Sequence, residues 1–366
     1  MFKDYQKDIK EIKNQHNIMV FIGNGFDISV LRKYRDDNLI TSYSKFYDYL
    51  CYKEFNEDNI LFSKMKEEGK KDLRKENWCD FESLLGELLE SGVPTDKLND
   101  ALEEIQHKFL LFLNDIVTPD ILLNLDRDRT ENGFGIKALS RFLGDLDKED
   151  YKKINFPKKT NHYHMYNYLF INFNYTSLFD NYIYLDKYQF DPHPYERVDR
   201  NFQFYPYTKR DNGNDTIWSS YIMTDIIHPH GYQNIPKSLL FGVEDKKYAS
   251  YKKFNKSYWA QDNLKYNSYF YDAELFIIYG ASMGETDSWW WKNIYDSLLC
   301  RESELIIYYY EDGEHNYNKD DIKQKFINGC KVNSSEEDIL HVKQKIYVVL
   351  YDKNRNLNMF GLHADT

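Results

Sequence analysis

The feature that most restricts the fold of this chain is a series of short, continuously apolar runs that are rich in β-branched and aromatic residues. Seven such runs are spread along the sequence, at residues 18–22, 168–173, 225–228, 239–241, 275–279, 305–310 and 346–350. Strands that are apolar on both faces are typical of a parallel sheet covered by helices on each side. Because helical patterns lie between these runs, the sequence predicts an α/β fold built on a parallel sheet.

Helical patterns fill the long interval between the first and the second predicted strand. They occupy residues 43–53, 80–90 and 94–116. Thr95 is the expected N-cap of the longest of these helices. Since strand signals are almost absent between residues 43 and 165, we predict a sheet domain formed by residues 1–42 and 165–366, interrupted by a helical insertion formed by residues 43–164.

The overall charge argues against nucleic-acid binding. The chain has 366 residues, and its 48 Lys and Arg against 59 Asp and Glu give a net charge of −11. This charge repels phosphate backbones, and the basic residues form only short runs. We therefore expect no nucleic-acid partner.

The cysteines and the apolar runs bear on the cellular location. Four cysteines lie far apart without a Cys-x-x-Cys pair, which argues against a disulfide framework and against a zinc module. The sequence has no apolar run long enough to cross a membrane, and charges occupy the amino-terminal stretch where a signal peptide is apolar. We therefore expect a cytoplasmic protein with no membrane contact.

The first candidate site is the turn Gly23-Asn24-Gly25-Phe26-Asp27, which follows the first predicted strand. Two glycines one residue apart let backbone amides approach a pyrophosphate, and a helix that begins there adds its positive end. The third glycine of the usual dinucleotide fingerprint is missing, so a plain turn from strand to helix remains an alternative. Asp27 either caps that helix or binds a hydroxyl group.

Asn174 and Tyr175 directly follow the second predicted strand. Open α/β sheets bind ligands at the carboxyl ends of their strands, and Asn174 offers both a donor and an acceptor there. The alternative interpretation is an asparagine that caps the following helix.

A third motif, His228-Pro229-His230-Gly231, follows the third predicted strand. Histidine titrates near neutrality, which makes His230 a natural general base, and Gly231 allows a sharp turn beside it. A structural histidine is one alternative. A metal site that uses both histidines is another, but no third ligand is evident and we expect no metal.

The fourth motif runs from Gly280 through Ser282 to Asp287 and contains Gly-x-Ser-x-Gly after a strand. It fits the nucleophile elbow of a serine hydrolase, with Ser282 as the nucleophile. It also fits a backbone cradle for a phosphate or a ribose. The hydrolase interpretation leaves the turn at residues 23–27 without a role.

Taken in order, these motifs resemble the series found in the AbiH family, bacterial abortive-infection proteins of phage defence. The matching segments are residues 23–27, 173–176, 228–231, 239–245 and 279–287, with the earlier segments 41–46 and 78–82. The resemblance covers about residues 17 to 300. It implies a function in defence against phage.

At a greater distance, the series is similar to the SIR2-like fold, whose members bind NAD on a Rossmann-type sheet. The matching positions are Gly23, Gly25, Asn174, His230, Gly280 and Ser282. The similarity implies that the glycines and Ser282 hold the phosphates and ribose, while Asn174 and His230 face the nicotinamide riboside. Thr176 stands where many SIR2-like proteins carry Asp, and the zinc-binding cysteine pairs of SIR2-type deacylases are absent, which argues against deacylation.

The resulting hypothesis is an NAD glycohydrolase that serves phage defence, with NAD as substrate and with His230 and Asn174 as catalytic residues. The residues expected to bind the nucleotide are Gly23, Asn24, Gly25, Phe26, Asp27, Tyr175, Gly231, Gly280, Ser282, Glu285 and Asp287. A non-catalytic nucleotide sensor and a serine hydrolase that uses Ser282 are the alternatives. A phage-derived trigger and assembly into a homo-oligomer are further expectations.

Overall fold

The architecture is an all-parallel sheet flanked by helices. The computed structural model describes residues 1–8, 10, 12–35, 37–71, 80–158, 164–184, 221–235, 238–243, 254–256, 261–311, 313 and 317–363. Within these residues the strands are β1 (Asn14–Ile22), β2 (His164–Asn172), β3 (Tyr221–Ile227), β4 (Leu275–Tyr279), β5 (Glu304–Tyr310) and β6 (Ile346–Tyr351). They form one sheet of order β3-β2-β1-β4-β5-β6. The predicted α/β fold with a Rossmann-like sheet is confirmed.

Fifteen α-helices accompany the sheet in the described residues. They are α1 (Tyr5–Asp8), α2 (Asn24–Tyr34), α3 (Tyr43–Tyr52), α4 (Ile60–Lys71), α5 (Phe81–Glu90), α6 (Thr95–Ile116), α7 (Pro119–Asn132), α8 (Phe134–Arg141), α9 (Lys148–Lys153), α10 (Leu178–Ile183), α11 (Asp262–Lys265), α12 (Asn267–Asp272), α13 (Ser288–Cys300), α14 (Lys319–Gly329) and α15 (Glu336–Gln344). None of them is long and apolar enough to span a lipid bilayer.

The register of the central strands brings several turns to one level. Ile22 at the end of β1 pairs with Asn172 of β2 on one side and with Tyr279 of β4 on the other. The strand order reverses direction between β1 and β4, and such a reversal is where open α/β sheets form their ligand crevice. The segments that follow β1, β2 and β4 therefore start side by side at the carboxyl edge of the sheet.

Burial on both faces explains the continuous apolar pattern of the strands. Val20 and Ile22 of β1 join a hydrophobic cluster that includes residues of helices α2 to α10, whereas Met19 and Phe21 join a second cluster with Trp290 and Trp291 of α13. Successive side chains of a strand point to opposite faces, so a strand buried on both sides is apolar throughout.

Helices α3 to α9 lie between β1 and β2 in the chain, and we call residues 43–158 the helical segment. Its aromatic residues, such as Phe46 and Phe109, belong to the same hydrophobic cluster as Val20 and Ile22. The helical segment thus packs against one face of the sheet. The proposed division into two domains stays a prediction.

Two local predictions are wrong. Residues 239–241 do not form a strand. Phe241 packs instead against Phe81 of α5 and Phe109 of α6, with ring centroids 4.8 and 5.3 Å away, and this packing accounts for the apolar run. Thr95 is the first residue of α6 rather than its N-cap, a position that Pro94 occupies without a side-chain hydrogen bond.

Candidate functional site

The turns that follow β1 and β4 pack backbone against backbone. The amide of Gly23 donates to the carbonyl of Tyr279 over 2.9 Å, and the amide of Gly25 donates to the carbonyl of Gly280 over 2.8 Å. A Cβ atom on Gly23 would lie 2.4 Å from Cα of Ala281, and one on Gly25 would lie 2.7 Å from Cα of Gly280. Gly280 itself has a φ of +65°, which favours glycine. The glycines are therefore needed where the two turns meet.

This packing corrects one part of the sequence interpretation. The amides of Gly23 and Gly25 were expected to hold a pyrophosphate, but both already donate to carbonyls of the β4 turn. The side chain of Asn24 is also used within the protein, since its Nδ2 donates to the carbonyl of Thr41 over 2.7 Å and its Oδ1 accepts from the Thr41 hydroxyl. Asn24 thus ties the turn to the residues that precede the helical segment.

Asp27 anchors the segment that follows β2. Its Oδ1 accepts from Nδ2 of Asn174 over 2.9 Å, and its Oδ2 accepts from the Thr176 hydroxyl over 2.6 Å. Burial raises the pKa of Asp27 to about 7, although its hydrogen bonds with Thr176 and Asn174 act in the opposite direction. Asp27 therefore holds Asn174 and Thr176 and does not cap α2, whose N-cap is Gly23, while contact with a ligand hydroxyl stays a prediction.

Asn174 is buried, with 5% of its surface exposed, and its orientation is fixed. Its Nδ2 donates both to Asp27 and, over 3.1 Å, to the carbonyl of Gly23. Its main-chain amide donates to Oδ1 of Asn172 over 3.0 Å. Within the described residues its side-chain oxygen accepts no hydrogen bond, and this oxygen is the polar atom that Asn174 can offer to a ligand.

Both ring nitrogens of His228 contact groups of the protein. Its Nε2 lies 3.0 Å from Oδ1 of Asp180, and its Nδ1 lies 3.3 Å from the carbonyl oxygen of Asn174. Within the part of the chain that the structure describes, no group of three or more His, Cys, Asp or Glu side chains is arranged to hold a metal ion.

His230 forms a pair with an acid from the fourth motif. Its Nε2 lies 3.2 Å from Oδ1 of Asp287, and its ring stacks on Phe173 with centroids 5.0 Å apart. The next residue, Gly231, has a φ of +91°, and a Cβ there would lie 2.0 Å from the carbonyl oxygen of Ser238. The turn that places His230 therefore requires glycine at position 231. Nδ1 of His230 has no hydrogen-bond partner among the described residues.

A buried group that the sequence interpretation missed lies behind this pair, and we call Glu82, Lys256 and Asp287 the lysine–acid cluster. Nζ of Lys256 lies 2.9 Å from Oε1 of Glu82 and 3.8 Å from Oδ1 of Asp287. Although burial favours the neutral form of Asp287, Lys256 and His230 outweigh it and lower the pKa of Asp287 to about 2. Glu82 lies in one of the segments that resemble AbiH proteins, whereas nothing in the residues around Lys256 marks it.

Residues 19–309 match the family described as Bacteriophage abortive infection AbiH. The chain belongs to the AbiH family. The match begins in β1, ends in β5 and includes all four motifs, so the resemblance drawn from those motifs is confirmed. Membership of the AbiH family indicates a role in abortive infection by bacteriophage. No curated protein matches the chain.

Two aromatic residues of this AbiH protein differ in their placement. The ring of Phe26 is fully buried between Phe179 and Tyr182, at centroid distances of 5.2 and 5.3 Å, so its side chain belongs to the core and does not line a cleft. Tyr175 lies close to His230, since the centroids of the two rings are 6.3 Å apart. Its hydroxyl donates to the carbonyl of Leu240 over 3.1 Å.

The segment after β4 does not have the form of a nucleophile elbow. Ser282 is exposed, and within the described residues its hydroxyl has no hydrogen bond to a histidine or an acid. The chain continues from Ser282 through Met283, which has a φ of 56°, into a 3₁₀ turn at Glu285–Asp287 before α13 begins. A nucleophile elbow passes directly from strand to helix. The side chain of Glu285 lies outside the described part of the AbiH chain.

The four motifs of this AbiH protein are joined by a chain of contacts at the carboxyl edge of the sheet. The turn after β1 touches the turn after β4 and Asn174, His228 touches Asn174, and His230 touches Asp287. No hydrogen bond joins Asn174 to His230 in the described residues, and the two are linked through Phe173 and Tyr175, which flank Asn174 and pack against His230. A separate groove of about 340 Å³ lies between α3 and α6, and none of these motifs lines it.

Proposed function

We propose that this AbiH protein acts in phage defence by hydrolysing the nicotinamide N-glycosidic bond of NAD, with His230 as the general base. The observation that carries the proposal is the pairing of His230 with Asp287, 3.2 Å apart, next to the segment of Asn174. A histidine oriented by an acid through one ring nitrogen presents the other nitrogen to a reacting proton.

The reaction makes limited demands on the protein. The nicotinamide of NAD is a cationic leaving group, so the C1′–N bond breaks with its electron pair moving to nicotinamide and leaves an oxocarbenium-like ribose. Water adds to C1′ and gives up a proton, and the products are nicotinamide, ADP-ribose and that proton. His230 would accept the proton at Nδ1, and such base catalysis typically contributes about 10²–10⁴-fold in rate.

Asn174 is suited to orient the water or a ribose hydroxyl. Its amide nitrogen is held by Asp27 and Gly23, so the remaining side-chain oxygen has a fixed direction and accepts no hydrogen bond in the described structure. Positioning of this kind lowers the entropic part of the barrier.

The phosphates of NAD need donors other than the amides of Gly23 and Gly25. The exposed hydroxyl of Ser282 is available at the end of β4, next to the switch in strand order. In this proposal Ser282 contacts the nucleotide and does not attack it.

A direct assay tests the proposal. The purified protein is incubated with NAD, and nicotinamide and ADP-ribose are quantified by chromatography for the native chain, His230→Ala and Asn174→Ala. His341→Ala, an exposed histidine on α15, is the matched control. We expect loss of nicotinamide release in both site variants and native activity in the control. If both site variants keep the native rate, the mechanism is wrong. If the native chain binds NAD and the NAD is recovered intact, the result favours a nucleotide sensor.

An active NAD hydrolase harms its own cell, so the proposal includes a silent resting state that a phage-derived trigger or assembly into a homo-oligomer relieves. The deep burial of His230, which is 6% exposed, supports a closed site in this conformation. We expect cellular NAD to fall only after infection. Equal NAD loss in uninfected cells without a growth defect would contradict the resting state.

A further inference from the structure

We propose that Lys256 and Glu82 are positioning residues for His230, acting through Asp287, so that the helical segment completes the reactive site. This inference rests on the proposed function for its kinetic consequences. Its structural consequences, which concern how His230 is held, do not depend on that function.

Lys256 is buried between two acids from distant parts of the fold. Lys256 is 4% exposed, and its ammonium contacts Glu82 of α5 and Asp287, which immediately precedes α13. A buried ammonium is costly unless acids compensate it. Lys256 therefore links the helical segment to the edge of the sheet through charge.

The carboxylate of Glu82 is itself held by several hydrogen bonds. Its Oε1 accepts from the amide of Gly242 over 3.0 Å, and its Oε2 accepts from the hydroxyl of Tyr43 over 3.0 Å. Oε2 also accepts from Lys256 over 3.1 Å. Two parts of the chain besides Lys256 thus determine where Glu82 holds the ammonium.

Asp287 lies between the imidazole of His230 and the ammonium of Lys256. Its Oδ1 is fully buried and makes no well-aligned hydrogen bond among the described residues, yet it lies 3.2 Å from His230 and 3.8 Å from Lys256. Oδ1 of Asp287 is thus shared between the imidazole of His230 and the ammonium of Lys256. Removal of Lys256 would leave the imidazole of His230 as the remaining contact of Oδ1 among the described residues.

Opposite charges on the two positioning residues give the inference a distinctive signature. Lys256→Met removes a positive charge, which favours the imidazolium form of His230, so the acidic limb of the pH–rate profile moves to higher pH. Glu82→Gln removes a negative charge and moves that limb to lower pH. The charged and titratable groups around His230 are Tyr43, Asp80, Glu82, Tyr175, Lys256 and Asp287.

The experiment uses the full chain with Lys256→Met, Glu82→Gln and the double variant, and with Lys256→Arg to restore the charge. Lys319→Met is the matched control, because Lys319 also bridges two acids, Asp147 and Asp150, away from the site. The pH dependence of kcat/KM is measured with NAD. The titration midpoint of the His230 imidazole is followed by NMR, which needs no catalysis.

We expect Lys256→Met to move the midpoints of the kcat/KM profile and of the NMR titration to higher pH by about one unit, and Glu82→Gln to move both to lower pH by a similar amount. One pH unit corresponds to about tenfold in rate on the acidic limb. The double variant and Lys256→Arg should return toward the native profile, and Lys319→Met should match it. Should Lys256→Met fail to fold, Glu82→Gln still tests the sign of the effect, with Lys256→Arg as the variant that keeps the charge.

The outcomes separate the two proposals. If NAD is not cleaved but the NMR midpoint moves in opposite directions, the positioning inference stands and the proposed function fails. If NAD is cleaved while both single variants keep the native midpoints, or move them in the same direction, the positioning inference is wrong and the proposed function stands.

Discussion

Nδ2 of Asn174 lies 2.9 Å from Oδ1 of Asp27, and this contact joins the segment after β2 to the helix after β1. The same carboxylate accepts from the hydroxyl of Thr176. Asp27 therefore organises the residue proposed to orient the substrate, without itself having to touch it.

Asp27→Ala should destabilise the protein by about 1–3 kcal/mol, because it leaves the buried donors of Asn174 and Thr176 without an acceptor. We also expect weaker nicotinamide release, since Asn174 loses its orientation. Urea unfolding measures the first effect and the NAD assay the second. Asp48→Ala, at an exposed position on α3, is the control. Native stability in Asp27→Ala would show that Asn174 and Thr176 find other acceptors.

The raised pKa of Asp27 makes a prediction about pH. The folded state retains this proton up to about pH 7, whereas the unfolded chain releases it near 3.8. The folded state thus binds more protons between these values, so this group lowers stability as pH rises from about 4 to 7. Asp27→Asn cannot titrate, and the decline in its melting temperature over this range should be smaller than that of the native chain. An equal decline in both proteins would assign the effect to other groups.

The lowered pKa of Asp287 predicts that stability changes with pH in the opposite direction. Its lowered pKa, about 2 against 3.8 in the unfolded chain, contributes stability that is present above pH 3.8 and is lost as pH falls toward 2. Asp287→Asn should therefore be less stable than the native chain near neutrality, with the difference narrowing in acid. It should also lower NAD hydrolysis by about 10²-fold or more if His230 depends on it. Unfolding midpoints at pH 7 and at pH 3.5, together with the NAD assay, check both statements.

Gly23→Ala should destabilise the junction of the two turns by about 1–3 kcal/mol or more, because the added methyl group meets backbone atoms that cannot move independently. Gly284→Ala is a suitable control, since the nearest atom to its Cβ is Oγ of Ser282 at 3.4 Å. Melting temperatures compare the two variants. A similar small change in both would mean that the turns can separate at little cost.

Ser282 should not react with a fluorophosphonate probe, because no histidine or acid among the described residues activates its hydroxyl. We expect Ser282→Ala to raise KM for NAD with little change in kcat, as suits a residue that binds phosphate or ribose. Labelling of Ser282 in the native chain, absent in Ser282→Ala, would restore the serine-hydrolase alternative.

The sheet could be predicted because burial on both faces leaves a continuous apolar pattern in strands such as β1 and β4. The same reasoning failed at residues 239–241, where packing of Phe241 against aromatic helices produces an equal pattern without a strand. A short apolar run indicates that a segment is buried, but both a strand and a non-strand segment packed on helices can be buried.

The site was harder to predict because its charges come from distant segments. Lys256 looks like one of several solvent-exposed lysines in the sequence, and its burial depends on Glu82, 174 positions away. The paired glycines at 23 and 25 indicated close approach of another group, but sequence cannot distinguish a ligand from a second turn of the same chain. His230, in contrast, could be named as a candidate from its place after a predicted strand, and its role stays a prediction.

The interlocked turns have a consequence for the genetics of resistance. A Cβ atom on Gly23, Gly25 or Gly280 would lie less than 3.0 Å from the backbone of the facing turn, so a missense change at any one of them has no simple compensating change in the other turn. Bacteria selected for loss of phage protection are therefore expected to carry substitutions at these codons repeatedly. Such alleles would act by destabilising the fold, and suppressors in the facing turn should be rare.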